Sequence, residues 1–163
     1  MDQEKKQWLQ NTAEQASLAG HIFAQMAACE AGLESNFGQS KLSSEANNLF
    51  GMKQHSHPIF GTLSLPTREF LNNQWVVGQA EWVKYPTVED CFRDRMATLE
   101  RLRDAYPHYG MALTAPDEYT YINEVSKTWS TDPARAEKCT AIYSQYFLGD
   151  NAEAVHRAVN EED

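Results

Sequence analysis

The stretch from Phe23 to Lys53, FAQMAACEAGLESNFGQSKLSSEANNLFGMK, restricts the possible folds more than any other part of the chain. Its first half is a helix-forming run in which Ala27, Ala28, Ala31 and Gly32 leave room for a neighbouring helix to come close. The helix expected from about His21 to Glu34 therefore belongs at the centre of the molecule. In an exposed helix Gly32 would be destabilising by about 1 kcal/mol relative to Ala, so close packing or substrate access is the reason for it. At Gly38 the run changes character. A glutamate at the edge of an apolar segment, a Gly turn and then Asn47-Asn48-Leu49-Phe50-Gly51 read as the floor and one wall of a cleft, with Glu34 aimed into it.

A length of 163 residues fits one domain with one core, residues 150–163 forming a peripheral polar tail. Hydrophobic residues make up 42 %, and four Trp, seven Tyr and seven Phe exclude a disordered or fibrous chain. The net charge of -9, from 14 basic and 23 acidic residues with no basic block, argues against nucleic acid as a partner. The same charge leaves a carbohydrate open, since sugars stack on aromatic rings and take neutral hydrogen bonds. Cys29, Cys91 and Cys139 are far apart and lack the close pairs of a zinc or redox motif, so they are expected as buried free thiols. Behind the N-terminal lysines there is no apolar run of a signal peptide, and nowhere are there 18 consecutive apolar residues to insert in a bilayer.

Along the chain, Trp8, Leu9, Thr12, Ala16 and Ala19 predict a first helix over 4–19, ended by Gly20. Residues 35–65 read as loop with one short helical turn, and His55-Ser56-His57-Pro58 reads as a surface turn rather than a metal site. TLSLPTREF and QWVVGQAEWV, separated by Asn72-Asn73, predict a hairpin or flap over 62–83. A helix over 88–103 follows, with Thr87 as N-cap and Cys91, Phe92, Arg95, Met96 and Leu99 on one side. YPHYGMALTAPDEY reads as a break, 118–128 as helix, and 134–147 as a last helix after the Ser130-Thr131-Asp132-Pro133 turn. Tyr121, Val125, Trp129, Cys139, Ile142 and Tyr146 are expected in the core. The sum is a mainly α protein with a small β-hairpin flap.

Glu34 is the natural general acid. Apolar neighbours Leu33 and Phe37 and the negative end of its helix would favour the protonated form, which is what an acetal oxygen needs in order to leave. The bland alternative is an exposed last-turn glutamate, and Glu30, one turn earlier, is the internal competitor. Glu69 on the flap is the candidate second carboxylate, against the alternative of a solvated charge paired with Arg68 or Lys84.

LESNFGQSKLSSEANNLFGMK resembles the Leu-Glu-Ser-Gly-Trp-Gly…Ser…Asn-Asn-Leu-Phe-Gly-Ile-Lys signature of the bacterial peptidoglycan endo-β-N-acetylglucosaminidases, which include flagellar wall hydrolases, autolysins and phage lytic enzymes. The resemblance continues in order through LPTREF (Thr-x-Glu-Tyr), WVKYPTVEDCFRD (Phe-Arg-x-Tyr-x-Ser), YPHYGMAL (Arg-Tyr-x-x-Ala) and WSTDPARAEK (Tyr-Ala-Thr-Asp-Pro-x-Tyr-Ala). It implies a lysozyme-like α+β fold. By position, it also implies Glu34 as catalytic acid and Glu69 as the flap glutamate that acts as base or stabilises the cation. Tyr85, Tyr109 and Trp129 would line the sugar groove, with Asn48 and Phe50 shaping the floor behind Glu34. Val83 and His108 stand where the pattern has Arg, Trp129 where it has Tyr, and Asn36-Phe37 where it has Gly-Trp; Trp129 cannot donate a phenolic proton.

The activity implied is hydrolysis of the β-1,4 bond after N-acetylglucosamine, with glycan strands of peptidoglycan as the partner, a monomeric enzyme and no metal or organic cofactor. The alternatives are a muramidase or lytic transglycosylase acting on the N-acetylmuramic acid bond, and a non-catalytic wall-binding or assembly protein. The place of action would be the bacterial periplasm, the wall or the exterior, reached without a leader, by phage lysis, or from a chain cut short of its leader.

Overall fold

Every helix predicted by periodicity forms in the computed structural model, which describes residues 2–55 and 59–149, and most have a side chain holding their first turn. Helix α1, Gln3–Leu18, starts at Asp2, whose Oδ1 accepts from the backbone N–H groups of Glu4 and Lys5. It ends before Gly20, which has φ +90°. Helix α2, Ala24–Ser35, starts three residues later than predicted, because Ile22 and Phe23 remain in a turn. Residues 26–32 of α2 are all buried, as the small-residue run implied. Ala27 and Ala31 join one half of the core with Phe50, Tyr85 and Phe92, whereas Met26, Ala28 and Cys29 join the other with Leu9, Tyr121 and Val125. A helix lodged between two apolar bodies needs small residues, since each extra methylene would force both neighbours outward.

The short helix α3, Lys41–Ala46, is capped by Ser40 and leads into the double Asn. Strands β1, Gly61–Leu71, and β2, Gln74–Lys84, pair antiparallel from Gly61↔Lys84 to Leu71↔Gln74. The two-residue turn between them is Asn72-Asn73, with φ 52° and 61°. Two successive left-handed residues match the twist of a hairpin, and Asn tolerates them better than other side chains. Phe70, Leu71, Trp75 and Val77 near the tip are exposed. The root is tied down: Asn48 Nδ2 donates to the carbonyls of Met52 and Val83, both at 2.9 Å, and Tyr85 N–H donates to Ala46 O at 2.8 Å.

Helix α4, Val88–Leu102, is capped by Thr87 as predicted and buries Cys91, Phe92, Arg95, Thr98 and Leu99. The tract read as a break contains helix α5, Pro107–Leu113. Pro107 opens this helix, because a proline in the first turn loses no hydrogen bond. Helices α6, Glu118–Trp129, and α7, Arg135–Tyr143, follow, and α7 widens into one π turn over Ser144–Leu148, so the last predicted helix is not α-helical to its end. The three cysteines are free and buried. Among the described residues no helix is long and apolar enough to cross a membrane. Ser56, His57 and Pro58 of the predicted surface turn, and the tail from Asp150, lie outside the described residues.

Candidate active site

Glu34 occupies the penultimate position of α2, and the chain leaves it through a tightly specified turn. Asn36, Phe37 and Gly38 have φ 51°, 53° and 80°. A left-handed phenylalanine is sterically unfavourable by about 1 kcal/mol, so surrounding contacts must hold it. They are visible: Ser35 Oγ donates to Ala31 O at 2.6 Å and accepts from Gly38 N–H at 3.0 Å, and the Phe37 ring lies against Gly32. A Cβ on Gly32 would stand 3.1 Å from the Phe37 ring, and one on Gly38 would stand 2.4 Å from Trp8 Nε1. Close packing, one of the two reasons considered for Gly32, is therefore present.

The carboxylate of Glu34 sits at the solvent boundary, its side chain 28 % exposed. Its setting is not the apolar one expected. Arg135 of α7, whose side chain is 1 % exposed, donates from Nε to Glu34 Oε1 at 2.9 Å. The same guanidinium donates to Ser126 Oγ at 2.9 Å and to Glu30 Oε2 at 2.8 Å. Among the described residues no donor reaches Glu34 Oε2.

Glu30 has the opposite character. It is fully buried and receives Arg95 on both oxygens, at 3.0 and 2.8 Å, Arg135 on one, and the phenol of Tyr121 on the other. Burial alone would push its carboxyl up, but the Arg95 and Arg135 guanidiniums outweigh burial and hold it well below the usual carboxylate range. A carboxylate with every oxygen engaged and no solvent cannot hand a proton to a glycosidic oxygen. Of the two glutamates weighed for the acid, Glu34 is the one whose carboxylate reaches solvent.

The network continues away from the surface. Tyr121 Oη lies 3.2 Å from His21 Nε2, and His21 Nδ1 accepts from Phe23 N–H at 3.0 Å. The ring is therefore neutral with its proton on Nε2 and donates to Tyr121, which donates to Glu30. Burial lowers His21 to about 4, opposed by the nearby Glu30 charge. Arg95 is stacked on two rings, 4.4 Å from Phe50 and 4.3 Å from Trp129.

A family model described as mannosyl-glycoprotein endo-beta-N-acetylglucosaminidase matches residues 10–148. The chain belongs to this glucosaminidase family. A relative named probable N-acetylmuramidase from Lactococcus lactis subsp. cremoris is 30 % identical over 138 residues, covering 80 % of this chain and 30 % of that protein. An autolysin of Enterococcus faecalis is 26 % identical over 145 residues, 86 % of this chain and 19 % of its own length. The chain thus spans less than a third of either relative. Among solved structures, the catalytic domain of the autolysin Auto from Listeria monocytogenes superimposes with a TM-score of 0.75 at 21 % identity, covering 91 % of this chain and 88 % of that one. The glycoside hydrolase domain of FlgJ from Salmonella typhimurium, in a C-terminally truncated form, gives 0.70 at 23 % identity, with 88 % and 98 % covered. The fold is lysozyme-like α+β.

Of the residues that the glucosaminidase resemblance marked, Phe50, Tyr109 and Trp129 come together, with Trp129 centred 6.1 Å from Phe50 and 6.2 Å from Tyr109. Phe50 and Tyr109 are largely covered, while Trp129 is half-buried. Asn48 is 1 % exposed and its amide is used to brace the hairpin root. Tyr85 is also buried, with its phenol on Asp94. Glu69 stands apart on β1, its side chain 48 % exposed, facing Lys53 Nζ at 4.0 Å rather than Arg68 or Lys84. Val83 is buried near the end of β2, at the root of the hairpin, and His108 Nδ1 lies 2.7 Å from Glu124.

Sequence reading missed Arg135. The signal was present, since WSTDPARA places Arg135 where the family pattern Tyr-Ala-Thr-Asp-Pro-x-Tyr-Ala has its second Tyr. A second signal was an opposite pair on apolar faces: Arg95 on the buried side of α4 and Glu30 inside the small-residue run.

Proposed function

We propose that this chain is a peptidoglycan hydrolase that cuts the β-1,4 bond after N-acetylglucosamine, with Glu34 as general acid. The observation that carries the reading is the placement of Glu34. It is the one glutamate of α2 whose carboxylate reaches solvent, its Oε1 is held by a buried guanidinium at 2.9 Å, and its Oε2 is without a protein donor among the described residues. Family membership supports a glycoside hydrolase, and the names of the relatives support a wall polymer as substrate.

In this mechanism Glu34 protonates the leaving glycosidic oxygen, and the oxocarbenium-like centre is stabilised either by Glu69 or by the acetamido oxygen of the substrate. Among the described residues the Glu69 side chain is tied only by a long, solvated ion pair, so movement of the hairpin onto a bound strand meets little resistance from that contact. Phe50, Tyr109 and Trp129 form the aromatic side of the sugar groove, with Trp129 the most accessible of the three. Asn48 and Tyr85 support the groove from behind. The place of action is the periplasm, the wall or the cell exterior.

A second reading has a specific observation in its favour. Relatives at 30 % identity are named probable N-acetylmuramidases, a name that points to the neighbouring bond. Digestion of purified sacculi followed by mass spectrometry of the reduced products separates the two. The proposal expects N-acetylglucosamine at the reducing end. Products ending only in N-acetylmuramic acid, or in its anhydro form, would transfer the cut to the other bond.

A further inference from the structure

Arg135 is bonded three ways by atoms that leave it no freedom. Nε reaches Glu34 Oε1 at 2.9 Å, one terminal nitrogen reaches Ser126 Oγ at 2.9 Å, and the other reaches Glu30 Oε2 at 2.8 Å. Glu30 is fixed in turn by Arg95 and Tyr121, in a site with no solvent exposure. The direction of the Nε–H bond is therefore set by the core, and the Glu34 end is the most exposed part of the network.

We propose that Arg135 is the positioning residue of the general acid. It commits Oε1 of Glu34 to the protein and leaves Oε2 as the oxygen that carries the proton toward the glycosidic bond. This rests on the reading of Glu34 as that acid. A carboxyl group rotating freely about its last torsion would present either oxygen in many directions. Anchoring one oxygen to a rigid donor leaves the other in a single place, and misplacement of a reacting group by about 1 Å is enough to lower a rate about 100-fold. The planar fork of arginine serves three acceptors at once, whereas the ammonium of a lysine is a point charge without that geometry. An arginine stands here where the family pattern has tyrosine, and it holds the acid without changing which group is the acid.

The test compares wild type, Arg135→Lys, Ser126→Ala and Glu34→Gln on purified peptidoglycan sacculi. Clearing rate per folded molecule is measured beside co-sedimentation with the same sacculi. Arg135→Lys keeps the charge and is expected to clear about 10- to 100-fold more slowly with wall binding unchanged. Ser126→Ala alters no charge, frees one edge of the guanidinium and is expected to slow clearing about threefold. Wild-type clearing by a folded Arg135→Lys overturns the proposal, as does a loss of wall binding that accounts for the whole fall in rate. Should Arg135→Lys fail to fold, Ser126→Ala decides, and an unchanged rate in that variant overturns the proposal. Glu34→Gln separates the two levels: if it is inactive while folded Arg135→Lys is fully active, only the positioning role falls. If Glu34→Gln clears sacculi normally, the general-acid reading falls and the positioning role with it.

Discussion

Glu34 and Glu69 are the two carboxylates of the proposed chemistry, and the molecule holds them in opposite ways. Glu34 is the penultimate residue of a helix with seven consecutive buried residues, stands just before a turn of left-handed residues, and is pinned by a guanidinium that is itself pinned by a buried glutamate. Glu69 lies on a two-stranded hairpin whose outer half is exposed, and among the described residues it faces only Lys53, at 4.0 Å with both side chains about half in water. An exposed pair of that kind contributes at most about 1 kcal/mol, whereas breaking a buried charge cluster costs about 3–5 kcal/mol. The contrast teaches a division of labour. The proposed proton donor is held by the core before substrate arrives, and the proposed second carboxylate is left free to be placed by substrate.

The largest effect on stability is expected from the buried side. Glu30→Ala leaves Arg95 and Arg135 without their shared counter-charge, and chemical denaturation should read a loss of about 3–5 kcal/mol. A loss no larger than that of a hairpin mutant would dissolve the comparison. Acid provides a second probe of the same side. His21 is held neutral, with its pKa lowered to about 4 from an ordinary 6.5 by burial. Between those values the unfolded chain binds a proton that the folded one refuses. Stability therefore falls as pH drops from about 6.5 to 4, by about 3 kcal/mol at most. Glu30, held below the carboxylate range by the two guanidiniums, adds a further loss that begins below the unfolded carboxylate value. Equilibrium unfolding measured across that interval should show the slope in wild type and a reduced slope in His21→Gln. The smallest effect belongs to the flap. Glu69→Ala and Lys53→Ala should each change stability by under about 1 kcal/mol, and added salt should erase the difference. A larger and salt-insensitive change would mean that the hairpin is as firmly held as the helix.

Much of this contrast was legible in the sequence, because its carriers are local. Ala27, Ala28, Ala31 and Gly32 announced a buried helix, Asn72-Asn73 announced a two-residue hairpin turn, and Thr87 with Asp90 announced the start of α4. Where a signal was local but ambiguous, the reading failed. Pro107 marks both the end of one ordered tract and the first turn of α5. The clamp on Glu34 was not legible by any local rule. Its partner lies 101 residues away, and only the packing of α2 against α7 brings the two together. The departure of Arg135 from the family pattern marked the position but not its partner. Arg95 was correctly put on the buried face of α4, yet its counter-charge Glu30 was weighed as a catalyst instead of as its partner.

Glu34→Gln tests the central claim most directly, because the amide keeps an oxygen for Arg135 and removes only the proton. The account predicts that clearing of purified sacculi falls at least about 100-fold while the unfolding midpoint and sacculus binding stay near wild type. Substantial clearing by a folded Glu34→Gln protein would contradict it.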